Sequence, residues 1–119
     1  MQIQNTLSDQ VARYLDLAAG EAKLTAENMA NIDTPGYRAK GIDFAAEMRN
    51  AMDGVLRGSA PSQVNIRPEE GLIARPDGNN VSMDRESLNL AEAQLKFKTG
   101  VALLRQQNQM VMDAIHADK

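Results

Sequence analysis

The sequence has no cysteine, no tryptophan and a single histidine, and two tyrosines and two phenylalanines are its only other aromatic residues. The absence of cysteine excludes disulfides, cysteine-ligated zinc, iron–sulfur clusters and thiol nucleophiles. The apolar 43% of the 119 residues is therefore supplied mostly by Ala, Leu, Val, Ile and Met, which favours long helices over a β-sandwich. We expect a mainly all-α fold and one domain at most.

Long apolar runs and an excess of positive charge are also missing. The longest apolar run is residues 101–104, which is too short for a membrane span, and the N-terminus shows no cleaved secretory signal. Thirteen Lys and Arg against sixteen Asp and Glu give a net charge of −3, so binding to a phosphate backbone has no electrostatic basis. We expect no nucleic-acid partner, and any export must use a route that does not read such a signal.

Both ends of the chain show apolar residues at helical spacing. Residues 7–32 and 84–116 contain no proline, and within each stretch the apolar or small positions form a stripe. The pattern predicts two long helices that pack as an antiparallel coiled-coil hairpin. The predicted seam consists of Leu7, Val11, Tyr14, Ala18, Ala22 and Met29 in the first helix and Phe97, Val101, Leu104, Asn108, Val111 and Ile115 in the second.

Local signals place the ends of these helices. Thr6 followed by Asp9 resembles a capping box, Ser82 is a candidate N-cap for the second helix, and Pro35 cannot continue the first helix. We therefore divide the chain into an N-terminal axial helix over 1–33, a loop-rich middle segment over 34–81 and a C-terminal axial helix over 82–119. The first and last parts together form one coiled-coil domain.

The middle segment holds all four prolines and most of the glycines, which predicts loops. Apolar residues at helical spacing predict a short amphipathic helix over 43–56. The stretches VNIR at 64–67 and LIAR at 72–75 flank Pro-Glu-Glu-Gly, and we expect them to pair as a small β-hairpin. PDGNN at 76–80 predicts a turn that leads into the second long helix.

No residue pattern points to catalysis, a metal or a cofactor. His116 has no partner residues for such chemistry, and the calcium-loop likeness of 77–80 fails because Val81 replaces an oxygen ligand. Glu69 and Glu70 are interpreted as a solvated pair in a turn. Gly100 lies inside a predicted helix at a cost of about 1 kcal/mol, and a close helix crossing, a bend or a tolerated defect explains it.

More than one face of each long helix is apolar. Leu15, Leu17 and Leu24 lie off the predicted seam of the first helix, and Leu88, Leu95, Leu103 and Met110 lie off that of the second. At about 25 cal/mol per Å² of apolar surface, leaving such stripes in water forfeits several kcal/mol. The pattern predicts self-association.

The stretch AENMANIDTPGYRAKGIDF at 26–44 resembles the signature of bacterial flagellar rod and hook proteins, in which a long N-terminal helix ends in an Asn-x-x-Asn-x-x-Thr-Pro-Gly-Tyr segment. The stretch PDGNNVSMDRESLNLAEAQLKF at 76–97 extends the resemblance into the second helix, and it is most similar to a proximal rod member of that family. Residues 45–75 match weakly. The motif residues are Asn28, Asn31, Thr34, Pro35, Gly36 and Tyr37.

The resemblance implies a structural subunit of the proximal rod of the flagellar basal body, without enzymatic activity or cofactors. Such proteins pass through the flagellar type III export apparatus without a cleaved signal and polymerise through their terminal helices. The product is a hollow helical tube that spans the periplasm, transmits torque and continues the export channel. The implied partners are further copies of the chain, the rod proteins FlgC, FlgF and FlgG, the rod adaptor FliE and the membrane-ring protein FliF.

Two residues keep alternative roles under this resemblance. Asn108 either fixes helix register from a buried position or faces the lumen of the tube. Tyr37 shapes the exit from the first helix, with or without a contact to a neighbouring subunit. A second hypothesis for the function also stays open, namely a cytoplasmic two-helix adaptor or export chaperone.

Overall fold

The computed structural model describes residues 2–117, with the backbone alone for residues 2–5. The elements in chain order are α1 (Gln2–Ala30), β1 (Lys40–Gly41), α2 (Phe44–Leu56), β2 (Arg67–Pro68) and α3 (Met83–Ala117). The two long helices lie side by side in a molecule that measures 69 × 26 × 18 Å. This architecture confirms the predicted mainly all-α hairpin. Within the described residues, no helix is both long enough and apolar enough to cross a membrane.

The helix ends follow the local sequence with one exception. Ser82 caps α3, because its Oγ accepts a hydrogen bond from the Arg85 amide at 3.3 Å. Asp43 caps α2 in the same way, its carboxylate accepting from the Ala46 amide at 3.1 Å. The capping box at Thr6 and Asp9 was a wrong prediction, since α1 already begins at Gln2. The residues before Thr6 include no proline or glycine, so nothing in them stops the helix.

Small and polar residues form the contact line between α1 and α3. The buried residues of α3 are spaced seven apart, and α1 opposes them with its own series at the same spacing. Gly100 allows the closest approach, because a Cβ at this position would lie 2.5 Å from Leu15 Cδ2 and 3.1 Å from Tyr14 Cδ1. The glycine is thus explained by a close helix crossing. The two series are Glu86, Ala93, Gly100 and Gln107 in α3 and Val11, Ala18 and Thr25 in α1.

The larger residues of the predicted seam flank this line. Val11 and Ala18 are buried, whereas Phe97 and Ile115 are 45% and 55% exposed and Asn108 is exposed. The side chains that lie between full burial and exposure are Tyr14, Ala22, Met29, Val101, Leu104 and Val111, and Leu7 is exposed. The periodicity located the correct side of α3 but favoured its bulky residues, while close packing of two helices selects the small ones. The role of the seam in assembly stays a prediction.

The middle segment packs on α1 and not between the two long helices. α2 confirms the predicted short helix, and its Phe44 ring meets Tyr14 of α1 edge to face at 5.6 Å between ring centroids. Leu17 and Leu24, which lie off the predicted seam, are buried in α1. They border a cavity of about 180 Å³ with apolar residues of the middle segment, among them Ile66. The second apolar face of α1 is therefore partly covered by the chain itself.

The predicted β-hairpin is wrong. β2 pairs with β1 in antiparallel register, with Lys40 opposite Pro68 and Gly41 opposite Arg67, and residues 72–75 form no strand. The Glu69 amide donates to the Ala39 carbonyl at 2.9 Å and extends this pairing. A hairpin at 72–75 would have had no surface to pack on, because Ile73 is 92% exposed.

Candidate functional site

Asn28 ties the end of α1 to the strand that follows. Its side chain is almost fully buried, and its Nδ2 donates to the Lys40 carbonyl at 2.8 Å. Its Oδ1 accepts from the Lys40 amide at 3.0 Å and from the Tyr37 hydroxyl at 3.3 Å. The amide side chain carries its donor and its acceptor on separate atoms, as a backbone peptide group does, so Asn28 acts as a substitute strand neighbour for Lys40.

Tyr37 completes this contact as a neutral donor. Burial, reinforced by the negative charges of Glu27 and Glu86, raises the pKa of the Tyr37 hydroxyl. The proton that Tyr37 donates to Asn28 is therefore held more firmly than on a solvated tyrosine. The Lys40 ammonium lies 5.9 Å from the centroid of the Tyr37 ring, on the solvent side of the contact.

The remaining motif residues build the turn after α1. The Asn31 side chain donates to the Glu27 carbonyl at 2.8 Å and accepts from the Thr34 hydroxyl at 3.0 Å. Gly36 adopts a φ of +75°, which a residue with a Cβ would reach only with strain. Pro35 is exposed and lies five residues after the end of α1 at Ala30, where its missing amide hydrogen prevents the helix from resuming. These four residues reverse the chain direction within one turn.

Asn79, which is far from α1 in sequence, forms hydrogen bonds with the turn that follows α1. Its side chain is 0% exposed, and its Nδ2 donates to the carbonyls of Asn31 at 2.9 Å, Ile32 at 3.0 Å and Thr34 at 2.8 Å. Its Oδ1 accepts from the Val81 amide at 2.8 Å. The three carbonyls belong to the turn that follows α1, so this one amide holds the turn against residues 79–81.

Neighbours of Asn79 strengthen the same contact. Asn80 Oδ1 accepts from the Ala39 amide at 2.7 Å, and the Arg75 side chain donates to the carbonyls of Val81, at 3.0 Å, and Ile32. The backbones of Gly36 and Gly78 touch, since a Cβ on Gly78 would lie 3.4 Å from the Gly36 Cα. We call this region, residues 28–41 together with residues 75–82, the exit junction.

The sequence identified one half of the exit junction and missed the other. The motif at 28–37 was predicted to shape the exit from α1, but PDGNN was interpreted as an ordinary turn. The available signal was two consecutive asparagines just before a helix N-cap, where a simple turn needs only one residue of this type. The oxygens of 77–80 serve backbone amides, as Asp77 does for the Asn79 amide at 3.0 Å.

A polar cavity of about 370 Å³ lies beside the exit junction, between α1, the β1–β2 pair and α3. Lys96 and Glu21 form an ion pair on its wall at 3.0 Å, and the Lys96 ammonium lies 3.9 Å from the centroid of the Phe44 ring. Glu69 lines the same cavity and is partly buried, whereas Glu70 is exposed. The interpretation of both glutamates as solvated is therefore wrong for Glu69, because its side chain accepts a hydrogen bond from Asn89 of α3 at 3.0 Å and its Oε2 is buried.

The side chains of the exit junction hold backbone segments in place. Across residues 2–117, no cluster of three or more His, Asp or Glu side chains is placed to hold a metal ion. His116 is exposed in the last turn of α3, where a basic residue complements the helix dipole. The hydrogen-bonding groups of the exit junction point inward and join two distant parts of the chain. Fold and junction together define a helical-hairpin structural protein.

Comparison with known proteins identifies the class further. The chain is 30% identical over 129 aligned residues to the flagellar basal body rod protein FlgB of Proteus mirabilis strain HI4320, with 93% of each chain covered. It is 34% identical over 122 residues to FlgB of Salmonella typhimurium, covering 85% of this chain and 86% of that one. It is 31% identical over 121 residues to FlgB of Escherichia coli K12, covering 87% and 88%. No family model matches the chain.

These similarities identify a structural protein of the bacterial flagellar basal body, and not an enzyme. The chain belongs to the family of the flagellar basal body rod protein FlgB. Membership in this family overturns the alternative of a cytoplasmic adaptor or export chaperone. It also gives the exit junction its context, because the motif at 28–37 is the part of the sequence that first suggested flagellar rod and hook proteins.

Proposed function

We propose that the chain is a subunit of the proximal rod and polymerises through α1 and α3 into a hollow helical tube that transmits torque and continues the export channel. In this proposal residues 1–33 and 82–119 form one inner coiled-coil domain, and residues 34–81 face outward. The observation that carries the proposal is the large apolar surface that the helix pair leaves uncovered.

This surface follows α3 over most of its length. Full burial of one large aliphatic or aromatic side chain contributes about 1.5–3 kcal/mol, so a helical array that covers the stripe gains substantially over the isolated subunit. The exposed fractions are 58% for Leu88, 66% for Leu95, 45% for Phe97, 47% for Leu103, 59% for Met110 and 55% for Ile115.

The residues of the predicted seam border shallow grooves on this surface. One groove of about 600 Å³ runs where α1 and α3 present alanines, and a second of about 250 Å³ lies nearer the open end of the hairpin. Such grooves can receive the ridge of side chains of a neighbouring helix. The first is lined by Ala18, Ala22, Ala93 and Phe97 among others, and the second by Leu7, Val11, Leu103 and Met110 among others.

The close crossing at Gly100 supports the mechanical part of the proposal. Two helices that approach closely and interdigitate resist sliding and rotation past one another, because any shift forces side chains into contact. Stacked in an array, such hairpins resist twist. Asn108 is exposed on α3, which in the tube favours a position facing the lumen or a neighbour over a buried role within one chain.

The partners and location come from the family and the motif. We propose that the subunit reaches the periplasm through the flagellar type III export apparatus without a cleaved signal. It then contacts the rod proteins FlgC, FlgF and FlgG, the rod adaptor FliE and the membrane-ring protein FliF. Tyr37 is engaged with Asn28 inside the subunit, so its main role is to shape the exit junction.

A matched pair of substitutions tests the proposal. Leu88 and Ser87 are adjacent, exposed residues in the first turns of α3, where an added carboxylate suits the helix dipole. We expect Leu88→Asp to leave the circular dichroism of the purified subunit unchanged but to abolish swimming and incorporation into isolated basal bodies. Ser87→Asp adds the same charge without removing apolar surface and should swim normally. Normal motility and incorporation of Leu88→Asp would contradict assembly through this stripe.

A further inference from the structure

Two glutamates meet in the interior between β2 and α3. Glu86, in the first turns of α3, is 0% exposed, and neither of its carboxyl oxygens has a hydrogen-bond donor among the described residues. Glu69 directly follows β2; its Oε1 accepts from the Asn89 amide at 3.0 Å, while its Oε2 is buried and equally without a donor from residues 2–117. Glu86 lies one turn before Asn89 on the same face of α3, and its carboxyl group interacts with that of Glu69.

A proton is the missing partner. A buried carboxylate without donors is strongly unfavourable, and two of them side by side also repel. One proton placed on either group turns an acceptor into a donor, removes one charge and satisfies the other carboxylate. We propose that Glu69 and Glu86 hold one shared proton, and that this proton latches the segment after β2 onto the start of α3, so that a rise in pH loosens the latch.

The surrounding charges decide how firmly the proton is held. Burial, followed by the charge and the hydrogen-bonding contact of Glu86, raises the pKa of Glu69 from 4.5 to about 7, although Arg85 and Asn89 pull it down. Across the cavity the cations are already engaged or exposed: Lys96 pairs with Glu21, and Arg67 pairs with Asp43 at 3.7 Å. The other titratable groups facing this region are Tyr37 and Lys40 around β1, Glu70 beside Glu69, and Glu92 on α3.

The latch holds the short sheet in place. Glu69 lies against β1, since a Cβ on Gly41 would be 3.1 Å from Glu69 Cγ, and the Glu69 amide is bonded to Ala39. When the proton dissociates, both carboxyl groups are charged. The neighbouring polar cavity of about 370 Å³ has room for one of them. We expect the Glu69 side chain to move there and to weaken the β1–β2 pairing.

The direction of the pH effect follows from proton binding. Below the unfolded value of 4.5 both states carry the proton, and between 4.5 and about 7 only the folded state does. The contribution of the pair to stability is therefore complete at low pH and is lost as the pH rises through about 7. This is opposite to a carboxylate that is stabilised by a salt bridge.

Carbon-13 NMR of the side-chain carboxyls in the purified full-length chain tests the proposal directly. We expect the carboxyl signal of Glu69 to show a transition near pH 7. In Glu86→Gln the side-chain amide donates to Glu69 permanently, so the Glu69 transition should move from about 7 toward 4.5. Glu70→Gln, a neighbouring exposed change, should leave the Glu69 transition where it is.

Hydrogen exchange supplies a second readout that needs no variant of Glu86. After correction for intrinsic exchange, protection of the Glu69 amide should fall about tenfold between pH 6 and pH 8 in the unmodified chain and stay constant in Glu69→Gln. A Glu69 transition near its ordinary value in the unmodified chain would overturn the proposal. So would millimolar magnesium or calcium shifting both carboxyl signals at pH 8, because a cation would then be the occupant. None of these outcomes depends on polymerisation.

Discussion

The exit junction and the outer face of α3 differ in whether their side chains have partners within the subunit. At the exit junction, Asn28, Asn79 and Asn80 are buried and use donors and acceptors within the chain. Along α3, side chains such as Leu95 and Met110 are left in water. The contacts of the first region are complete within a single subunit, whereas in the proposed assembly the second gains its contacts from neighbouring subunits. A rod subunit needs both, because a hairpin without an internal lock would have no defined surface to offer its neighbours.

Removing the lock should have the largest effect on stability. Asn79→Ala removes one donor from three carbonyls of the turn after α1, which keep other donors, and leaves the buried Val81 amide without its partner. We expect the free energy of unfolding to fall by about 3 kcal/mol, at the upper end for loss of a buried hydrogen-bond network. Urea unfolding monitored by circular dichroism measures this. Asn65→Ala, at an exposed loop position, is the control, and equal stability of the two variants would show that the junction is not a lock.

The close helix crossing should give an intermediate effect. In Gly100→Ala the new methyl group collides with Leu15 Cδ2 at 2.5 Å, which outweighs the gain in helix propensity and should cost about 1–2 kcal/mol. Gly20→Ala is the matched control, because no atom lies within 4 Å of its Cβ, and it should stabilise α1 by about 0.5–1 kcal/mol.

A double substitution sharpens this test. If the collision with Leu15 is the cause, Gly100→Ala should cost less in a Leu15→Ala background than alone, and the two thermal or urea transitions will be non-additive. Additive effects would mean that the helices do not approach each other at this point.

The outer face should give the smallest effect on the subunit and a clear one on association. Met110 is 59% exposed, and Met110→Gln preserves length and helix propensity. We expect the free energy of unfolding of the subunit to change by less than about 0.5 kcal/mol, whereas sedimentation velocity at high concentration should show weaker self-association. Unchanged self-association together with a lowered free energy of unfolding would show that Met110 stabilises the subunit itself and not its association.

The sequence predicted the elements whose signals are local. Pro35, Ser82 and the apolar spacing of 44–55 marked the end of α1, the start of α3 and the whole of α2. A close helix crossing was one of the alternatives for Gly100, but the contact line through Glu86, Ala93 and Gln107 was not predicted, because periodicity weights bulky apolar residues while a close approach of two helices favours small ones.

Features that depend on contacts between residues far apart in sequence could not be predicted from local sequence patterns. β2 pairs with β1 and not with the adjacent stretch at 72–75, because the backbone at Lys40 is already positioned by Asn28. Asn79 resembled any turn asparagine, since nothing near it in sequence shows that the end of α1 lies within reach. The burial of Glu69 has the same origin, because its neighbour Glu86 comes from another element.

The position of Asn79 sets an order of events for a chain that emerges with its N-terminus first. α1 can coil as soon as it is free, but the turn after it gains the hydrogen bonds of the Asn79 amide only when residue 79 follows, nearly at the start of α3. A truncated or partly synthesised chain therefore lacks the hydrogen bonds of Asn79. The complete hairpin forms only once most of the chain is present.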